Sequence, residues 1–432
     1  MTATNFVSLL TFFEETAGQG IGPNGTTGGT VSTGADWEAA ELAGTAVQVP
    51  HIASSLGLDD FRSTILEPEF VRARVFQTAP RVVGLSNVEG FGFQSYMTGL
   101  GAATAAAAAP TPNGLSRLMR HCLGGQHLSN TTTLAGGGHT VNVVNVDDAS
   151  SLAVGAVIAW EDSNGLGHPR QITDITGLAV TLDVDLPEVP ADGDLMLGGI
   201  TIYIDEDVIC DTSANPGSTL SAAIQKGANG SVGWEANGIK MTVGSFGFER
   251  NGFATVDLTG TVARFTTPPD GPDPTLPSAT FPDPLAIGPD TQLLISDAGT
   301  TTLTSVCNGS LSVDPGVPIV PVECMTARTG NMEGYGLYTI EPANTIIDVD
   351  LFPYSDSHFT DFANNQEKQV SMTRLGASGN LMSIRFPRVE IFQEPSRTGD
   401  TVASSTLQYR ALERDPDGLT ALERSKFVIF IG

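Results

Sequence analysis

The chain has 432 residues and a formal net charge of −27, with 40% hydrophobic and only 16% charged residues. That length allows a sizeable core and two or three domains, and apolar patterning sustained to the last residue excludes a disordered chain. So acidic a surface repels phosphates and anionic lipids, which excludes a conventional DNA-binding domain but not an object that DNA passes without sticking. The 49 Gly and 26 Pro point to many turns and short strands and away from helical bundles.

Residues 1–69 read as an irregular arm. The Gly/Thr tract GQGIGPNGTTGGTVSTG (18–34) predicts a flexible loop, either disordered or ordered against a neighbouring subunit. No basic residue precedes Arg62, so no secretory signal is expected. No run approaches the roughly 20 apolar residues of a membrane helix. A soluble protein made in a cytoplasm is expected.

FVRARVF (70–76) reads as a strand with Arg72 and Arg74 on one face, and VEGFGFQSYMTG (88–99) continues the strand signal. GAATAAAAAP (101–110) is a low-complexity connector that Pro110 ends. In NGLSRLMRHCLGG, Leu115, Leu118, Met119 and Cys122 recur at helical spacing, Arg117 and Arg120 lie off that stripe, and Gly124 supplies a stop. Residues 138–199 alternate in short segments divided by Gly, Asn and Asp, which predicts a small β-barrel or sandwich inserted between longer elements.

Strands resume with GITIYI and IKMTVGSFGFE. They culminate in GFATVDLTGTVARF (252–265), where alternation is nearly unbroken. Val256, Leu258 and Val262 point one way; Thr255, Asp257, Thr259 and Thr261 point the other. Eight prolines follow between 268 and 289, which excludes a helix or a paired central strand and predicts a semi-rigid linker over 266–289. Beyond it come TQLLIS, TLTSVCNGSLSVD and YTIEPANTIIDVDLF, then a short helix in SDSHFTDFANNQ (355–366) with Phe359, Phe362 and Ala363 on one face. KQVSMTRL, NLMSIRFPRVEIF, STLQYRAL and SKFVIFIG complete the chain. Both sides of the linker hold several long strands and one short helix, as a divergent duplication would.

The chemistry-bearing patterns are sparse. No Gly-Lys dipeptide exists, so there is no P-loop, and Asn229 breaks the elbow pattern at Ser231. His121, Cys122 and His127 lack a fourth ligand and zinc spacing. Asp205, Glu206, Asp207 and Asp211 cluster on the surface, Asp348 and Asp350 share a solvated strand face, and ERDPDGLTALE (413–423) reads as a turn at Asp417-Gly418. Spacing alone does not decide whether Cys307 and Cys324 are bridged, and buried thiols are expected for the four cysteines. No catalytic residue, metal or cofactor is expected.

The order of elements resembles the tail tube proteins of long-tailed, non-contractile bacteriophages. The similarity runs through RVVGLSNVEGFGFQSYMTG leading into GLSRLMRHCLGG, the NGIKMTVGSFGFERNGFATVDLTGTVARF hairpin, LTSVCNGSLSVD, and GNLMSIRFPRVEIF followed by the C-terminal stretch to SKFVIFIG. The resemblance implies a mainly β fold: two tube-type β-sandwich domains, each flanked by a short helix, lending strands to an intersubunit β-barrel ring. The first would comprise 70–137 and 200–265, the second 290–432, with 138–199 on the outside. It implies a virion structural protein, not an enzyme, assembled in the host cytoplasm into stacked rings. Three subunits with pseudo-sixfold symmetry are favoured over six. Expected partners are the tape-measure, terminator and distal tail proteins, and double-stranded DNA in transit. On this reading Thr255, Asp257, Thr259 and Thr261 line the lumen, while Val256, Leu258 and Val262 face the core. A β-rich adhesin or glycan-binding protein is the alternative, with an enzyme acting on polysaccharide third.

Overall fold

A computed structural model describes residues 9–14, 46–49, 65–66, 82–83, 88–101, 107–206, 208, 220–225, 232–249, 251–262, 264–266, 282–288, 290–301, 306–317, 319–322, 337–340, 343–352, 357–398 and 404–432. It is mainly β: a large antiparallel sheet system, a curled six-strand half-barrel and a few short helices. In chain order the strands are β1 (Leu9–Glu14), β2 (Ala46–Val49), β3 (Ile65–Leu66), β4 (Val82–Val83) and β5 (Val88–Tyr96). Helix α1 (Gly114–Leu123) and β6 (Gly124–Ser129) follow. Then come β7 (Thr132–Thr133), β8 (Val143–Asn145), β9 (Val157–Glu161), β10 (Gly167–Thr176), β11 (Ala179–Leu182) and β12 (Leu195–Leu197). Next are β13 (Gly199–Ile204), β14 (Leu220–Gln225), β15 (Val232–Phe248), β16 (Ala254–Val262) and β17 (Arg264–Thr266). The remainder is β18 (Thr291–Asp297), β19 (Val306–Asp314), β20 (Ile319–Val322), β21 (Leu337–Ile340), β22 (Ile346–Phe352), α2 (Ser357–Ala363), β23 (Lys368–Arg374), β24 (Met382–Ile391), β25 (Ser396–Thr398), β26 (Ser404–Ala411), α3 (Ala421–Arg424) and β27 (Val428–Ile431).

Two sheets face each other across the main core. The front runs β5–β16–β15–β19–β22–β26. The back runs β6–β13–β27–β24–β23–β18. Period-two alternation sends one side of each front strand inward: Val256, Leu258, Phe246, Phe248, Leu311, Val313, Ile347, Val349, Leu407 and Tyr409 are buried. Ile200, Ile202, Ile384, Phe386, Ile429 and Ile431 meet them from the back sheet in one continuous core.

The chain repeats a path. A front strand (β5; β22) runs into a short helix (α1; α2), then a back-sheet hairpin (β6–β13; β23–β24). It then returns beside the first front strand (β16 on β5; β26 on β22). The two passes are sewn together by β15–β19 in front and by β27 between β13 and β24 behind. The core is therefore drawn from both sides of the Pro-rich segment.

Helix α1 is capped at both ends. The Asn113 side chain accepts from Ser116 N–H at 2.8 Å, and Gly124, at φ 89°, donates its N–H to Arg120 O. Leu115, Leu118, Met119, Cys122 and Leu123 enter the main core. Helix α2 starts at Ser357 and places Phe362 half-buried against the same core. The acidic turn at Asp415–Gly418 leads into α3, which has a Thr420–Glu423 capping box; the sequence reading stopped at the turn.

Two expectations need correction. Part of the arm is ordered in the sheet: β1 pairs with β14 and β2, and Phe12 and Val49 are buried. The end of the Pro-rich segment is paired as well. Leu285 N–H donates to Met97 O at 2.9 Å, Ala254 N–H donates to Leu285 O at 2.9 Å, and Leu285 and Ile287 are buried. Leu285, flanked by Pro284 and Ala286, keeps the N–H that proline lacks, so it can pair where its neighbour cannot. The 18–34 tract, the 70–76 strand and residues 102–106 of the Ala-rich connector lie outside the described residues.

β6 and β13 pair directly, so Asn130–Gly198 is an insertion at the tip of a hairpin. Its strands form a sheet in the order β7–β12–β9–β10–β11–β8 around Val144, Ile158, Trp160, Ile172 and Val180. The module starts at β7, before residue 138, and ends at Leu197.

Leu258→Ala should cost about 2–5 kcal/mol, because it empties a fully buried site in a two-sheet core. Thr259→Ala, one residue on and exposed, should stay within about 0.5 kcal/mol. Urea denaturation of both variants checks this; equal losses would contradict the face assignment.

Candidate functional site

The outer side of the front sheet is the candidate site. Cross-strand register places Tyr96, Thr255, Gly247, Ser312, Asp348 and Gln408 in one row over six strands. A neighbouring row holds Gln94, Asp257 and Ser245, and another holds Ser310, Asp350 and Thr406. Apart from the Tyr96 ring, the side chains of these rows are short or amide-bearing, and none of them is cationic. The face is mostly polar because most of the apolar bulk on these strands alternates into the core, with Tyr96 and the half-buried Ile346 as outward-facing exceptions.

Its carboxylates lie along the sheet, held by donors on the adjacent strand. Ser245 Oγ donates to Asp257 Oδ2 at 2.7 Å. Thr406 Oγ1 donates to Asp350 Oδ1 at 2.7 Å and Gln408 Nε2 to Asp348 Oδ1 at 2.9 Å. Each bond satisfies one acceptor while leaving the negative charge facing water. Glycine keeps the surface low at Gly247, where a Cβ would sit 2.8 Å from Thr255 Oγ1. The lateral ends carry exposed rings: Phe253, 48% exposed, meets Tyr96 edge-on at 5.3 Å. Phe392, 52% exposed, lies under Arg410, which is also paired with Glu390.

Of the residues singled out in the sequence, Thr255, Asp257 and Thr259 share this outer face, while Val256 and Leu258 are fully buried behind it. Thr261 pairs with Lys240 and Val262 with Val88 through the backbone; their side chains lie outside the described residues. Asp348 and Asp350 stand exposed on the same face. The sequence suggested a solvated strand there, but their continuity with the Thr255–Thr259 strand depends on the β15–β19 pairing, for which no local signal exists.

The other clusters are accounted for differently. His127 Nε2 bonds Ser151 O at 2.9 Å, and Glu206 pairs with Lys426 at 3.0 Å. Asp205 accepts from Val208 N–H, while Asp207, Cys210, Asp211, Cys324 and the Cys307 side chain lie outside the described residues. Among the described residues no group of His, Cys, Asp and Glu could hold a metal ion, and no helix is long and apolar enough to cross a membrane. The face can repel anions and exchange hydrogen bonds with water.

Burial lowers the pKa of His127 and of His168 despite bonds to Ser151 and Asp162, and burial also lowers that of His358. Their folded pKa values lie below the ordinary value of about 6.5, so the folded state binds fewer protons than the unfolded chain. Stability is full above that value and falls as pH drops through it towards the folded values. Urea midpoints should therefore decrease from pH 7 to pH 5. A His127→Gln, His168→Gln, His358→Gln variant should show a flatter dependence over the same range.

No protein-family model and no curated protein matches the chain, so the geometry of this face carries the functional argument.

Proposed function

We propose that the protein is the subunit of a long-tailed phage tail tube, with the flat acidic face turned to the lumen through which DNA leaves. The observation that carries this reading is the continuous six-strand face whose carboxylates are laid down by cross-strand donors. A conduit for DNA needs a wall that phosphates neither bind nor snag. Like charge separated by less than a Debye length, about 8 Å at physiological salt, supplies the repulsion, and short side chains supply the smoothness.

The layering supports the same orientation. Behind the face come the main core, the back sheet and then the inserted module. A ring closed with the face inward carries the module outward. The repeated path of strand, helix and hairpin supports two tube-type units per chain, each giving three front strands, hence three subunits with pseudo-sixfold symmetry. Among the described residues β5 pairs only with β16. Adding a neighbour's strand there would remove an exposed edge, and the exposed Phe253 beside Tyr96 fits such a joint; at the other end β26 is already paired with β25 and β24. Rings would stack around a tape-measure protein between the terminator and distal tail proteins.

Purified protein, with its tail partners where required, should form rings and tubes with three copies per ring in electron micrographs. Monomers at every concentration, with no rings beside the partners, would sink the reading. Phe253→Asp should lower ring yield. A triple Asp257→Lys, Asp348→Lys, Asp350→Lys variant should still assemble, because these groups are solvent-facing. Phages carrying it should eject DNA more slowly, read as dye uptake by released DNA. Ejection at an unchanged rate would remove the lumenal assignment.

A further inference from the structure

The inserted module leaves the first pass of the chain between β6 and β13 and docks on the second as well. Its core continues into Leu381, Leu422, Val428 and Phe430. Gly167 N–H donates to Gly376 O at 2.8 Å, and Asp185 N–H to Thr301 O at 2.8 Å. The approach is close: a Cβ on Gly167 would lie 2.7 Å from Leu381, and one on Gly155 2.8 Å from Leu422 O. The module also holds the first pass, through Val157 N–H to Thr201 Oγ1 at 3.0 Å.

Charge is buried at this joint. Arg385 on β24, 2% exposed, donates to the Asp183 carboxylate and to Pro169 O at 3.1 Å. Arg170, 1% exposed, donates to Pro169 O and Asp185 O, both main-chain acceptors. Arg414 reaches Thr173 O. Burial, then the charge of Arg385, pushes the Arg170 pKa down to about 10. Asp183 is the carboxylate ion-paired with Arg385, and it also accepts from Gln171 N–H at 2.9 Å; Asp185 lies near Arg170 as well, and Glu423 and Asp415 near Arg414. A buried cation stripped of its counter-ion is strongly destabilising, whereas replacing the whole pair by apolar groups is tolerated.

We propose that the module is an intrachain clamp, with Asp183 as its latch, that holds β24 and β27 of the second pass against β13 of the first and so sets the angle between the two halves. This does not rest on the tube reading. A decoration would dock only on the half that carries it; this one also grips the other half through three separate segments, at Thr301, Gly376–Arg385 and Arg414–Phe430.

The test is segment-resolved hydrogen exchange on the full chain. Asp183→Asn should speed exchange about tenfold or more in the module and in β24 and β27 together. Faster exchange in the module alone, with β13, β27 and β24 unchanged, would overturn the clamp, as would no change anywhere. If Asp183→Asn unfolds the whole chain, Asp183→Leu combined with Arg385→Met decides. Protection restored jointly in the module and β24–β27 supports the clamp. A second half protected while the module stays open overturns it.

Discussion

The C-terminal strand β27 is buried on both faces, and the rest of the structure depends on that. Ile429 and Ile431 enter the main core, while Val428 and Phe430 enter the core of the inserted module. Its edges are filled by β13 on one side and β24 on the other. A strand with no wet side must be apolar at every position, as Val-Ile-Phe-Ile is. Each such side chain contributes about 1.5–3 kcal/mol on burial. Remove β27, and the two back-sheet hairpins lose their joint and the module loses its floor.

The front sheet obeys the opposite rule. Its six strands have one dry side and one wet side, so the sequence alternates, and the wet side is free to be selected for something other than packing. What stands over most of it is threonine, serine, glycine, glutamine and aspartate, with the carboxylates tied to neighbouring strands, and Tyr96, Ile346 and Arg410 lie towards its margins. Such bonds add little stability at a solvated surface, yet they hold charge close to the backbone. On the tube reading that is the useful property: a wall negative enough to repel phosphate and too flat to catch it. The module, two layers away, is then free to work outside, and its grip on the second half makes it part of the frame.

Much of this was legible locally. Asn113, the Leu115–Cys122 stripe and Gly124 mark α1 because caps and period are short-range properties. The Thr255–Thr259 and Val256–Leu258 faces follow from alternation alone. The LLTFFE segment was missed because it lacks alternation and its partner, β14, lies far along the chain. Leu285 and Ile287 were missed because surrounding prolines argued for a linker, and only Met97 and Ala254, brought alongside, supply their bonds. The extension of the candidate face across Ser312 and Asp348 was missed for the same reason.

The sequence by itself determined the periods, the caps, the acidity and the short polar residues of the outer face, since each is set within one element. The tertiary structure alone decided which strands adjoin. Pairing β15 with β19 made two half-faces into one, and pairing β27 with both β13 and β24 joined two back-sheet hairpins over one core. It also decided that a module spliced into one half would grip the other through Asp183 and Arg385. These outcomes rest on contacts between distant segments, whose favourable energy appears only when both partners are buried together, and no local pattern encodes that.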